Sequence, residues 1–230
     1  MPNPGEHHPA FEEYCECIFE LREDNLEVIQ ARIADRLRVS RPSVSEMIKR
    51  LLEEGLIVVN DGHITLTDDG EVLAQRVVRR HRLAERFMTD ILGLSWALAH
   101  REAGRWEHVM SDAVEDAMRI KLGNPTTCPH GNPIPGSGYV PPVATKLKSL
   151  TEGQHFIVSR IPEELEFSPG MLEFLEKTNL MPGMSGVIGA TTAAGDMTVT
   201  VHGTDITVEK FATERILVTV SLPQHIGAPR

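Results

Sequence analysis

The stretch that most constrains this chain runs from Val28 to Thr67. Ile29, Ile33 and Leu37 recur at helical spacing, Val39-Ser40-Arg41-Pro42 breaks the pattern, and Val44, Met47, Ile48, Leu51 and Leu52 resume it. Pro42 suits the first turn of a new helix, where a missing N–H costs nothing, with Ser40 or Arg41 at the cap and Gly55 past the end. Two short helices about such a break read as a helix-turn-helix. Leu56-Ile57-Val58-Val59 and His63–Thr67 then read as strands joined through Asn60-Asp61-Gly62, and Asp-Gly is a strong hairpin signal. A hairpin directly behind the second helix makes a winged helix, whose wing is expected against a DNA backbone.

Charge both opposes and supports that reading. The chain of 230 residues holds 33 Asp plus Glu against 23 Lys plus Arg, a formal net charge of −10 that argues against wholesale nucleic-acid binding. Between Gln30 and Arg50, however, Arg32, Arg36, Arg38, Arg41, Lys49 and Arg50 face only Asp35 and Glu46. This basic island fits phosphates; a solvated helix face is the plainer alternative. Apolar runs fall short of the ~18 residues of a membrane span, and the charged start does not resemble a signal peptide. Cys15, Cys17 and Cys128 cannot build a disulfide framework, so a cytoplasmic protein with no membrane partner is expected.

Around this unit the periodicity predicts further elements. Phe11, Tyr14, Ile18 and Leu21 mark an amphipathic helix over 11–23, a longer helix covers about 71–92, and another runs from about 95 to 122. Residues 124–142 are rich in Pro and Gly and read as an irregular segment ending in a linker. Residues 143–222 read as short β-branched strands with one helix near MLEFLEKTN, the pattern of a small barrel. The expected fold is α+β: a winged-helix domain over 1–70, an all-helical domain with its linker over 71–142, and a β domain over 143–230.

Metal-ligand residue types recur on helical faces. His81 and Glu85 are four apart; His100, Gly104, Glu107 and His108 form one stripe; Glu13 and Glu16 share a face. Imidazole and carboxylate in such pairs bind divalent metals. A lone pair of this kind is more often structural.

With these residues in place, RRHRLAER, HREAGRWEHVMSDAVED and NPTTCPHGNPIPG behind a winged helix closely resemble the diphtheria-toxin-repressor family of metal-dependent transcriptional regulators. The similarity is close over about 11–136 and looser for the last domain, which resembles the family's SH3-like (FeoA-like) domain. The resemblance implies a DNA-reading helix at Ser40–Glu54, with Ser40, Pro42, Ser43 and Ser45 approaching bases and phosphates beside the basic Arg32, Arg41, Lys49 and Arg50. Glu46 stands where iron-dependent members have Gln, so an operator differing from theirs is expected, because Gln pairs with adenine while Glu only accepts. An ancillary metal site is implied at His81, Glu85 and His100, completed from the last domain, with Glu163 and Glu166 of PEELEF the candidates. A primary site is implied at Glu107, His108, Glu13 and the position of Gly104.

Two departures from the iron-dependent pattern bear on the metal. Glu13 replaces Met and Gly104 replaces Cys; Gly104 supplies no ligand, and close helix packing is its plainer explanation. Glu13 and Glu16 match the first-helix carboxylates of the manganese-dependent branch. Loss of sulfur hardens the site and favours Mn²⁺ over Fe²⁺, with Co²⁺, Ni²⁺ or Zn²⁺ able to substitute in vitro; Cys17, one turn from Glu13, reads as a buried thiol. The expected function is metal-activated repression of metal-uptake genes by a homodimer, or two dimers, on a palindromic double-stranded operator. Two rivals are a winged-helix regulator of an organic ligand and a metallo-hydrolase, the latter without a nucleophile elbow, phosphate-binding glycine loop or HExxH motif.

Overall fold

A computed structural model describes residues 8–221. The chain divides into two compact units: one comprises residues up to 94 with 98–128 and 134–139, the other 95–97, 129–133 and the chain from 140 onward.

The first unit opens with α1 (Pro9–Glu23), α2 (Gln30–Leu37) and α3 (Arg41–Glu53), followed by the hairpin of β1 (Ile57–Asn60) and β2 (His63–Leu66). Arg38 ends α2 in the left-handed region at φ 54°, and the Ser40 side chain caps α3 by accepting from the Ser43 N–H at 3.3 Å. Asn60 pairs with His63 across a turn in which Asp61 and Gly62 have φ of 50° and 82°, the positive values a type I′ hairpin turn needs. The wing is tied down by the Ile64 N–H, which donates to the Val28 carbonyl at 2.9 Å. Ile18, Ile33, Val44, Leu51, Leu56 and Ile64 form the buried centre of this region.

α4 (Asp68–Asp90) is the unit's spine, roughly 35 Å long at 1.5 Å per residue. Its junction with the wing is rigid. The Thr67 hydroxyl donates to the Gly55 carbonyl at 2.7 Å and accepts from the Gly70 N–H at 3.1 Å. A Cβ on Gly70 would lie 1.9 Å from the Leu56 carbonyl oxygen, so this crossing requires glycine. α1 packs along α4 with three cross-links: Arg22 to Glu71 and Arg76 to Glu12, and the wholly buried Arg82 to Glu23 at 2.7 Å. Farther along, Ala84 and Met88 pack with Ala99 and Ala103 of the next helix, Met110 of the turn behind it and Met118 of the helix after that.

The sequence reading of one helix from 95 to 122 needs correction. α5 (Trp96–Trp106) stops before a short turn and α6 (Asp112–Lys121) restarts behind Ser111, whose side chain accepts from the Val114 N–H at 3.4 Å. Apolar periodicity continues across the break and hides it. The Pro- and Gly-rich segment is also more ordered than a linker: Cys128, His130 and Asn132 are fully buried, whereas Val140 and Val143 are exposed.

In the second unit, β3 (Thr145–Lys146), β4 (His155–Arg160), β5 (Ser185–Thr191), β6 (Met197–Val201), β7 (Thr204–Val208) and β8 (Leu217–Ser221) make an antiparallel sheet in the order β3-β8-β4-β5-β6-β7. α7 (Glu163–Glu166) and α8 (Met171–Lys177) lie between β4 and β5, and α9 (Lys210–Thr213) precedes β8. Phe156, Val158, Val199, Val208 and Val218 fill the core. This is the expected SH3-like β domain. Gly131, at φ 86°, fits where a Cβ would meet the Ser159 carbonyl oxygen at 2.4 Å, which seats 129–133 in this unit.

Candidate metal centre and nucleic-acid interface

Midway along α4, the residues of two prospective metal sites converge within the first unit. His81, Glu85 and His100 each offer a ligand atom within 4.8 Å of the others. The His100 Nδ1 lies 3.0 Å from Glu85 Oε1, and His81 Nε2 lies 3.3 Å from both Glu85 Oε1 and His100 Nδ1. Glu16, His81 and Glu107 form a second group within the same limit, and the His81 Nδ1 contacts Glu107 Oε2. His81 therefore presents one ring nitrogen to each group. Glu107 and His108 follow the end of α5, where the Glu107 N–H still donates to the Ala103 carbonyl at 3.1 Å.

The electrostatics are those of a buried acidic cluster. Glu12, Glu16, Glu85 and Glu107 are all buried, as is His81. Burial opposes a charge on His81, but Glu107 and Glu85 outweigh it and raise its pKa well above the usual imidazole value. The hydrogen bond to Glu12, against the opposing effect of burial, likewise raises the pKa of His108. Burial resists ionisation of Glu12, yet His108 and Arg76 together hold its pKa below the ordinary carboxylate value. Imidazole and carboxylate donors within one coordination-sphere diameter suit a divalent cation, which would offset the cost of burying like charges.

On the first helix it is Glu12, one residue before the Glu13 of the sequence reading, that contacts His108. Glu12 Oε2 lies 2.7 Å from His108 Nδ1, and Arg76 donates to Glu12 Oε1 at 3.0 Å. Glu13 is exposed, though its charge still acts on His108. Both i, i+3 and i, i+4 pairs share a helical face, so spacing to Glu16 does not separate Glu12 from Glu13. Gly104 is exposed with nothing within 4 Å of a Cβ built on it, so close packing does not explain the glycine.

Sequence reasoning missed Cys128, whose Sγ lies within 4.8 Å of a Glu85 carboxylate oxygen. The signal was Cys128-Pro129-His130, two ligand types two apart in a segment taken as irregular. Burial raises the Cys15 thiol pKa to about 12 and the Cys17 value further still, so Cys17 remains a thiol. Glu163 and Glu166 belong to the second unit and are buried there. Glu166 accepts from Asn132 Nδ2 at 2.6 Å and lies 2.8 Å from His130 Nδ1, while Arg160 bonds the Asn132 carbonyl oxygen.

The winged helix presents one outward surface. Val44, Ile48 and Leu51 bury one side of α3, leaving Arg41, Pro42, Ser43, Glu46, Lys49 and Arg50 exposed, with Ser40 at the cap and Ser45 half-buried. Arg32 is half-buried on α2. Arg36 drops out of the basic island: its side chain is tucked in and paired with Glu20 at 3.3 Å and Asp24 at 4.0 Å. Among the described residues no helix is long and apolar enough to cross a membrane.

Residues 8–63 match the family described as "Iron dependent repressor, N-terminal DNA binding domain", and residues 67–136 match "Iron dependent repressor, metal binding and dimerisation domain". The chain is 37% identical over 204 residues to the iron-dependent repressor IdeR of Mycobacterium tuberculosis, covering 84% of this chain and 88% of that protein. It is 48% identical over 126 residues to the diphtheria toxin repressor of Corynebacterium diphtheriae, covering 54% of this chain and 56% of that one. Among solved structures, a manganese-dependent transcriptional repressor in complex with manganese superposes with a TM-score of 0.81 at 34% identity, covering 92% of this chain and all of the other.

Proposed function

Because the chain belongs to the iron-dependent repressor family of metal-dependent transcriptional regulators, we propose that Glu12, Glu16, His81, Glu107 and His108 form its activating metal centre, with Mn²⁺ as the physiological activator. The protein is a metal-activated, DNA-binding repressor and not an enzyme, which disposes of the hydrolase reading. It works as a homodimer on DNA. The observation that carries the assignment is the convergence of buried carboxylates from α1 on imidazoles from α4 and from the end of α5.

A bound divalent cation supplies positive charge among these carboxylates. Glu12 and Glu16 then tie α1, which shares its core with the recognition helix, to α4 and the turn after α5. That tie favours one placement of the reading head over others, and it acts only through the difference in metal affinity between those placements. The donors of this centre are nitrogen and oxygen alone, which supports Mn²⁺. His81, Glu85 and His100 form the ancillary position; Cys128 beside Glu85 gives that position tolerance for softer ions such as Fe²⁺, Co²⁺, Ni²⁺ or Zn²⁺. Glu13 stands at the exposed rim of the activating centre.

Two-fold symmetry in the homodimer leads to a palindromic operator, occupied by one dimer or two, with metal-uptake genes in the cytoplasm as the regulated set. Anaerobic operator-binding titrations with free Mn²⁺, Fe²⁺, Co²⁺, Ni²⁺ and Zn²⁺ test the reading. Half-maximal binding is expected at Mn²⁺ concentrations no higher than those of Fe²⁺, with Glu16→Gln and His108→Ala raising both. Activation by Fe²⁺ at far lower concentration overturns the manganese assignment; equal operator binding in chelator favours an organic-ligand regulator.

A further inference from the structure

We propose that Glu46 is the base-discriminating residue of α3 and that it reads a cytosine in each operator half-site, an assignment that rests on the DNA-binding reading above. Glu46 lies at the middle of the exposed face of α3, between Arg41, Pro42 and Ser43 on one side and Lys49 and Arg50 on the other. Lys49 and Arg50 follow it by three and four residues, the spacings at which an acid and a base on one helix ordinarily pair. They do not pair here. Among the described residues no hydrogen bond or ion pair engages the Glu46 carboxylate, and the Arg50 guanidinium instead sits 5.0 Å over the Phe11 ring.

An unpartnered carboxylate on a helix surface that enters a groove has few tolerable neighbours. Phosphates repel it, so the basic and hydroxyl side chains around it take the backbone while it faces the bases. A carboxylate only accepts hydrogen bonds. In the major groove the donors are the cytosine N4 and adenine N6 amines, and adenine sets its N7 acceptor beside that amine, where a second carboxylate oxygen is repelled. Cytosine offers its amine without that neighbour. Glu46 therefore both selects a C·G pair and penalises every site lacking one.

The test is selection of duplexes from a random library by the full-length protein with Mn²⁺, comparing wild type, Glu46→Gln and Glu46→Ala. The exposed position leaves the fold intact. Wild type is expected to retrieve a motif with a fixed C·G pair in each half-site. Replacing that pair should weaken wild-type binding roughly ten- to hundredfold. The alanine variant should lose this discrimination while binding unrelated DNA more tightly, and the glutamine variant should shift the position toward adenine. A wild-type motif that both variants reproduce unchanged overturns the role of Glu46 alone. Failure of the wild type to enrich any sequence overturns the DNA-binding reading and this proposal with it.

Discussion

At the scale of the residue, His81 joins the two metal groups because its ring has a nitrogen on each side: one faces Glu107, the other Glu85 and His100. Its raised pKa, and that of His108, mean that protons occupy these rings to higher pH than in a free imidazole. Metal must displace those protons. Apparent Mn²⁺ affinity is therefore expected to fall as pH drops from 8 to 6, measured by calorimetry, with proton release on binding; a pH-independent affinity would remove these histidines from the ligand set. Gly104 invites a gain-of-ligand experiment. It lies one turn before Glu107 and His108, and a side chain there meets open space. Gly104→Asp is expected to lower the Mn²⁺ concentration for half-maximal DNA binding by about tenfold, the scale of metal-site tuning; no change would show that the position faces away from the centre. His81, Glu85, His100, Glu107 and His108 were legible as ligand types because helical spacing fixes which residues share a face. The choice of Glu12 over Glu13 against His108 was not, because helix phase at a solvent boundary depends on what packs opposite, here Arg76 and His108.

At the scale of the element, α4 runs from the wing to His81 and Glu85 without interruption. Its first turn admits no side chain larger than hydrogen at Gly70. Gly70→Ala is expected to lower the midpoint of chemical denaturation, corresponding to about 2 kcal/mol or more of overpacking strain; an unaltered midpoint would show that the wing moves aside freely. The recognition helix and hairpin were readable from sequence to within a residue or two, because Pro42, Gly55 and Asp61-Gly62 are punctuation with a mechanism. The break between α5 and α6 was also written locally, in Ser111-Asp112, but continuing apolar periodicity masked it. Cys128 and Asn132 were obscured by the opposite error: a Pro- and Gly-rich stretch need not be exposed when long-range partners such as Glu166 satisfy it.

At the scale of the whole molecule, the net charge of −10 conceals an internal division of labour. Much of the acid of α1 is paired with arginines, as in Glu12–Arg76, Glu20–Arg36 and Glu23–Arg82, while Glu16 lies in the group around His81 and Glu13 is exposed. Composition summed over the chain could not separate these roles, since pairing across 59 residues, as for Arg82 and Glu23, is a tertiary fact. What composition did reveal is an exposed basic surface on α3 set in an acidic protein, which suits DNA binding that depends on a cation. If metal favours the DNA-competent arrangement, thermodynamic linkage requires DNA to favour the metal by the same factor. The decisive measurement is the affinity of the intact protein for Mn²⁺, without oxygen, in the absence and presence of saturating selected operator duplex. Binding tighter on DNA by the factor with which Mn²⁺ tightens DNA binding, at least about fivefold, and lost in His81→Ala, is the expected result. The same Mn²⁺ affinity with and without DNA would contradict it.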